Sequence, residues 1–172
     1  MGNPTAIFET SMGTIRAEIY REQMPITAGN FLKLVEMGFY DGLHFHRVIE
    51  GFMVQLGCPY SKDPHHTQVG TGESPLGTIE DEFLKSAKLS NEPGTLSMAN
   101  AGPNTGSSQF FINCAHNKQL DWFRWFGRKG QHPVFGRVTQ GMDVVERIEC
   151  SPVDDWDVPV EPVQIERVTI EE

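Results

Sequence analysis

Apolar positions along the chain change period several times, and each change marks an element. Ile7 and Phe8, then Ile15, Ala17 and Ile19 alternating with Arg16, Glu18 and Tyr20, flank Ser11-Met12-Gly13-Thr14 and predict an antiparallel hairpin. Pro25 suits the first turn of a helix. Ala28, Phe31, Leu32 and Val35 then recur at i, i+3, i+4 and i+7 until Gly38 ends the pattern. Beyond it the period shortens to strands over residues 44–49, 52–57, 95–98, 109–113, 134–138 and 163–170. A second amphipathic helix is predicted over 142–150, with Val144, Val145 and Ile148 apolar. In the last strand Val163 and Ile165 fall out of phase with Val168 and Ile170, which predicts a bulge at Glu166-Arg167. Many short strands, two helices and no regular strand-helix alternation favour a mainly β barrel over a parallel α/β sheet.

With 172 residues, no internal repeat and no linker-like stretch, the chain reads as one domain spanning residues 1–172. No run approaches the roughly 20 apolar residues of a membrane helix, and the N-terminus lacks the basic-then-apolar order of an export signal. No membrane association is expected. Fourteen basic against 23 acidic residues give a net charge of −9, a poor balance for gripping a phosphate backbone, so no nucleic-acid partner is expected. The deficit is local: residues 146–172 hold nine acids and two bases, leaving −2 for the first 145. That edge reads as a solvated surface or as a docking face for basic partners. Cys58, Cys114 and Cys150 are odd in number and widely spaced, which predicts a reducing, cytoplasmic setting.

Two segments carry candidate chemistry. In Phe45-His46-Arg47-Val48-Ile49-Glu50-Gly51-Phe52-Met53-Val54-Gln55, alternation sends Arg47 and His46 to opposite faces, and puts Met53 and Gln55 on one face. In Ser97-Met98-Ala99-Asn100-Ala101-Gly102-Pro103-Asn104-Thr105-Gly106-Ser107-Ser108-Gln109-Phe110-Phe111-Ile112-Asn113, Gln109 and Phe111 again share a face. Brought together, these faces make a patch with one arginine, two amides and a Met/Phe surface. Such a patch suits an extended peptide better than nucleophilic attack.

These two stretches strongly resemble the signature segments of cyclophilins, the peptidyl-prolyl cis-trans isomerases, and the similarity runs from about Ile7 to Ile170. The resemblance implies a closed eight-stranded antiparallel barrel capped by two α-helices, with a groove on its outer surface. It implies that Arg47 is the catalytic arginine, and that Phe52, Met53, Phe111 and Leu120 form the proline pocket. Gln55, Ala99, Asn100 and His132 are implied to fix the peptide around the target bond. Gly70, Ala101, Thr105 and Gln109 are implied to border a second pocket for residues preceding the proline. It further implies proline-containing peptides and client proteins as partners. Nothing in the sequence suggests an obligate dimer, so a monomer is expected, and no cofactor is expected. A module of the same fold that binds proline peptides with little catalysis is the competing reading.

Several other features weigh less. His44 and His46, with His65-His66 or Cys58, lack a spaced ligand set, so no metal is expected and His46 reads as a hydrogen-bonded structural residue. Cys114 and His116 lack an orienting third group for a nucleophilic dyad. Gly70-Thr71-Gly72 with Gly77 matches neither nucleotide-binding glycine pattern. Three departures from the family stand out. Gln119 precedes Leu120 where many relatives carry a tryptophan that helps to bind cyclosporin, which implies weakened binding of that drug. The segment Trp122 to Lys129 is long, aromatic and basic, and reads as packing, as a lid or docking platform, or as a stacking surface. Cys58 stands where aspartate is common, as an inert small residue or a redox-sensitive thiol.

Overall fold

The computed structural model describes residues 2–124 and 131–172. Eight strands form one antiparallel sheet: β1 (Thr5–Thr10), β2 (Gly13–Ile19), β3 (Arg47–Ile49), β4 (Met53–Leu56), β5 (Thr95–Met98), β6 (Phe110–Asn113), β7 (Val134–Gln140) and β8 (Ile165–Glu171). Their order across the sheet is β3-β4-β6-β5-β7-β2-β1-β8. Helices α1 (Pro25–Glu36) and α2 (Met142–Glu149) complete the architecture. The predicted hairpin, both helices and all six further strands are present, the strands trimmed or extended by a few residues at their ends.

The expected closure of the barrel is not observed: no ladder joins the edge strands β3 and β8. β3 is three residues long, and the segment leading into it meets the start of β8 through a single bridge, His44 to Gln164. Backbone bonds from Phe45 to Val163 and from Ile165 to Leu43 flank that bridge. The sheet is therefore a curled half-barrel. Curling continues in β8, where Glu9 pairs with Arg167 but Thr10 pairs with Ile165. Glu166 is the extra residue, at the predicted bulge.

Inside the curl, Phe31 of α1 stands within an aromatic cluster, 5.4 Å from the Tyr40 and Phe110 rings and 5.6 Å from Phe135. The helix buries Ala28, Phe31, Leu34 and Val35, whereas Leu32 is only half-buried. Its N-terminus has no local side-chain cap. Glu82, from a distant irregular segment and only 3% exposed, instead accepts the backbone N–H groups of Ile26 and Thr27 and the Thr27 hydroxyl at 2.8–2.9 Å. This carboxylate satisfies donors that a helix start otherwise leaves unpaired, and its charge suits the positive end of the helix dipole.

Candidate active site

Sheet register assembles the site. Arg47 lies opposite Gln55, Gln55 opposite Phe111, and Phe111 opposite Ser97, so one row crosses β3, β4, β6 and β5 on a single face. The neighbouring row, Val48, Val54, Ile112 and Leu96, points into the core. That alternation anchors the strands and leaves the Arg47 row facing outward. Arg47 is exposed, and its Nη1 reaches the Gln55 Oε1 at 3.5 Å. Among the described residues, no carboxylate forms an ion pair with it.

From Gln55 a chain of amides continues. Gln55 donates to the Gln109 Oε1 at 3.1 Å, and the Gln109 Nε2 donates to the carbonyls of Gly70 and Gly72 at 3.0 and 2.9 Å. The long turn-rich segment beginning at Cys58 is thereby pinned to the site. Its hinge is tight: a Cβ at Gly57, where φ is +98°, would lie 2.4 Å from the Ser108 carbonyl oxygen, so only glycine fits.

Cavities flank this chain on both sides. Gly70, Ala99, Asn100, Ala101, Thr105 and Gln109 line one of about 450 Å³, which unites every residue expected in the second pocket. The Thr105 hydroxyl holds the rim by accepting the Ala101 N–H at 2.8 Å. The other, about 580 Å³, opens beside Arg47 and Gln55 and is walled by His66, Gly70 and Trp156.

Phe111 meets His132 edge to face, with ring centroids 5.4 Å apart. His132 Nδ1 donates to the Met98 carbonyl at 2.9 Å, and burial lowers its pKa, which favours the neutral ring with its proton on Nδ1. Asn100 donates to the Gln131 carbonyl at 2.9 Å, next to that histidine. Met53, 1% exposed, lies beside the row on the same face, two residues before Gln55 and paired with Ile49 and Asn113. Phe52 and Leu120 are half-buried, whereas Gln119 is exposed.

What holds these pieces together was not legible in the motifs. The Asn117 side-chain amide donates to the Phe52 carbonyl, and its backbone carbonyl accepts the Leu120 N–H, both at 2.9 Å. Asn91 donates to the His132 carbonyl at 3.2 Å and to Asp121 at 2.9 Å, and accepts bonds from Ser97 and Asn113. Asn91 and Asn113 are fully buried, and Asn117 and Asp121 nearly so. One buried amide network thus sets the backbones of Phe52, Leu120 and His132. Burial alone would raise the Asp121 carboxyl, but bonds from Ser90, Arg124 and Asn91 hold it below its ordinary range.

His46 departs from expectation. It is 4% exposed, yet neither ring nitrogen has a hydrogen-bond partner among the described residues. Burial pushes its pKa down to about 4, offset in part by the nearby Gln109 amide. The other weighed side chains find structural partners. His44 bonds the Ser61 carbonyl at 2.8 Å, His116 bonds Ser90 at 2.9 Å, and burial, reinforced by Glu149, pushes the Cys114 thiol up to about 12. Cys58 is fully buried with its sulfur accepting the Gly70 N–H, the surroundings of an inert residue. Trp122 stacks on Phe83 at 5.2 Å and Arg124 lies over Phe123, so the start of the aromatic segment packs locally. Residues 125–129 of that segment lie outside the described residues.

A family model described as cyclophilin type peptidyl-prolyl cis-trans isomerase/CLD matches residues 5–170. This chain belongs to the cyclophilin family. Among similar cyclophilins, peptidyl-prolyl cis-trans isomerase CYP18-2 of Arabidopsis thaliana is 43% identical over 97% of this chain and 93% of its own length. Peptidyl-prolyl cis-trans isomerase ppi1 of Schizosaccharomyces pombe is 43% identical over 91% and 92%. Some relatives are far longer: the chain spans 24% of peptidyl-prolyl cis-trans isomerase cyp15 of Rhizopus delemar, at 43% identity. Among solved structures, the cyclophilin type isomerase cgd2_1660 of Cryptosporidium parvum superposes with a TM-score of 0.84 at 31% identity, covering 99% of this chain and 98% of that one. A second structure of that protein, in the presence of the dipeptide Ala-Pro, gives 0.82 at 31% identity, covering 98% and 99%. No helix among the described residues of this cyclophilin is long and apolar enough to cross a membrane.

Proposed function

We propose that this chain isomerises X-Pro bonds of peptides and folding proteins without covalent chemistry, with Arg47 favouring the twisted amide. One observation carries the reading: an exposed guanidinium, unpaired with any carboxylate among the described residues, stands in register with Phe111 through Gln55. Rotation about the imide must cross roughly 18–20 kcal/mol because conjugation between nitrogen and carbonyl is lost. In the twisted state the prolyl nitrogen regains its lone pair. A donor aimed at it binds that state more tightly than either planar form, which lowers the barrier without any proton transfer.

The magnitudes divide the work. A hydrogen bond from a charged group contributes about 1.5–3 kcal/mol and a tenfold rate about 1.36, so Arg47 supplies roughly 10- to 100-fold. Holding the ring against Phe52, Met53, Phe111 and Leu120, while Gln55, Ala99, Asn100 and His132 fix the flanking backbone, supplies the remainder. Residues before the proline enter the pocket of Gly70, Ala101, Thr105 and Gln109.

NMR exchange on a short Ala-Pro peptide tests this. Acceleration by the wild type, and its reduction in Arg47→Ala, supports it; equal rates for the two proteins defeat it in favour of a binding module. The same assay with cyclosporin tests the consequence of Gln119, which removes an indole from the drug's site and weakens inhibition. The reading takes the protein as a monomer working on folding clients in the reducing cytoplasm, where its three free cysteines stay reduced.

A further inference from the structure

We propose that Glu73 makes this groove select a lysine or arginine two residues before the proline, its carboxylate lining the cavity that receives the residues preceding that proline. This selectivity rests on the reading that the groove isomerises X-Pro bonds.

The cavity of about 450 Å³ is continuous with the proposed peptide site, since Ala99, Asn100 and Gln109 line it together with Glu73. Gln109 shares a pleat face with Phe111 and lies one two-residue strand step, about 6.5 Å, before it. An extended peptide advances by the same step. A proline ring seated at Phe111 therefore sets the second residue before it beside Gln109. The Gln109 Nε2 donates to the carbonyl of Gly72 at 2.9 Å, so the very next residue, Glu73, stands at the end of that side chain.

Neutral polar groups around the cavity are spent on its own walls. The Ser107 hydroxyl donates to the Gly77 carbonyl at 2.8 Å and accepts the Ser74 N–H at 2.9 Å, and the Thr105 hydroxyl donates to the Gly102 carbonyl at 2.8 Å. Among the described residues lining the cavity, Glu73 alone is charged. It is exposed, and no lysine or arginine among the described residues forms an ion pair with it.

A second carboxylate adds to the same sign. The Asp81 N–H donates to the Asn104 Oδ1 at 2.8 Å, and the Asn104 N–H donates to the Asp81 Oδ2 at 3.0 Å, which fixes Asp81 to the residue before Thr105. The Asp81 charge is also felt at His132, where it opposes the effect of burial. A cationic side chain entering here meets negative charge with no fixed cation to displace, whereas an acidic one is repelled.

The test measures kcat/KM by NMR exchange for end-blocked Ala-Xaa-Ala-Pro-Ala-Ala, with lysine, alanine or glutamate as Xaa, and for Ala-Ala-Ala-Pro-Ala-Xaa as the positional control. With wild type, lysine before the proline should exceed alanine, and alanine exceed glutamate, by roughly 2- to 5-fold each, the range of an exposed ion pair. Glu73→Gln should lose most of the lysine advantage, and Glu73→Lys should invert the order. A lysine preference of equal size at the control position, which the net charge of −9 would produce anywhere on the peptide, overturns the proposal. So does an equal rate for all three side chains with wild type, or a lysine preference that survives Glu73→Lys. These results leave the isomerase reading intact, because the alanine peptide is still turned over. Acceleration of none of the peptides overturns the isomerase reading, and the selectivity with it.

Discussion

Gln55 and Gln109 are joined amide to amide, the Gln55 Nε2 donating to the Gln109 Oε1 at 3.1 Å. Because Gln109 also holds the Gly70 and Gly72 carbonyls, this one contact couples the strand facing Arg47 to the loop that walls both cavities. Gln109→Ala removes two bonds to the loop and leaves Gln55 without its acceptor. We expect a stability loss of about 1–2 kcal/mol, a raised KM and faster amide exchange at 70–72. Unchanged loop exchange in the variant would show that the pin is not what orders the segment.

Arg47 is exposed and carries no fold-supporting ion pair among the described residues, so its removal separates chemistry from stability. Arg47→Ala should unfold within about 0.5 kcal/mol of wild type while losing roughly 10- to 100-fold in kcat/KM. Arg47→Lys keeps the charge but not the planar fork, and should fall between the two. Exchange kinetics beside a urea titration check both halves.

His46 makes stability depend on pH in a defined sense. The free imidazole protonates near 6.5, whereas burial holds the folded one to about 4. Between these values the unfolded chain binds more protons, so stability falls as the pH drops through that window and levels off below it. The loss is on the order of 3 kcal/mol if the group stays buried, and His132 adds to it in the same direction. His46→Gln does not titrate, so it should lose this part of the slope whatever its absolute stability. Thermal melts between pH 7 and 4 measure the difference.

Asn91 bonds Asp121, Ser97, Asn113 and the His132 carbonyl while fully buried. Asn91→Ala strands several of these partners, and we expect a cost of about 2–4 kcal/mol. Asn91→Asp retains the acceptor but places a charge against the Asp121 carboxylate, and should be at least as harmful. Because the network sets the backbones around the proposed proline pocket, residual activity should show a raised KM. A KM equal to that of wild type would reduce the network to a purely structural role.

Glu82 caps α1 from 55 residues away in sequence. Glu82→Gln keeps one acceptor oxygen but loses the charge at the helix N-terminus, and should cost about 1–2 kcal/mol by denaturant unfolding. Glu82→Ala should cost more, because three donors then lose their partner.

Local pattern was enough for most elements. The alternation of Ile15, Ala17 and Ile19, the helical spacing of Ala28, Phe31 and Val35, and the phase slip at Glu166 all report which side of the backbone faces the core, and burial obeyed them. The candidate site was legible in part for the same reason: Arg47, Gln55, Gln109 and Phe111 sit in two short segments whose pleat fixes their faces. Pattern could not reveal that Asn91, Asn117 and Asp121 share one network, that Glu82 caps a distant helix, or that Trp156 stands at the same cavity as Arg47. Each of these depends on contacts between segments far apart in the chain.

By itself the sequence determined the element types, the outward face of the arginine strand and the family, since these follow from side-chain periodicity and from contiguous motifs. Only the tertiary structure decided whether the sheet closes, whether His46 finds a partner, and what walls the groove. These depend on where the backbone carries each segment: a three-residue edge strand that meets β8 through one bridge, and a buried ring whose nitrogens form no hydrogen bond among the described residues.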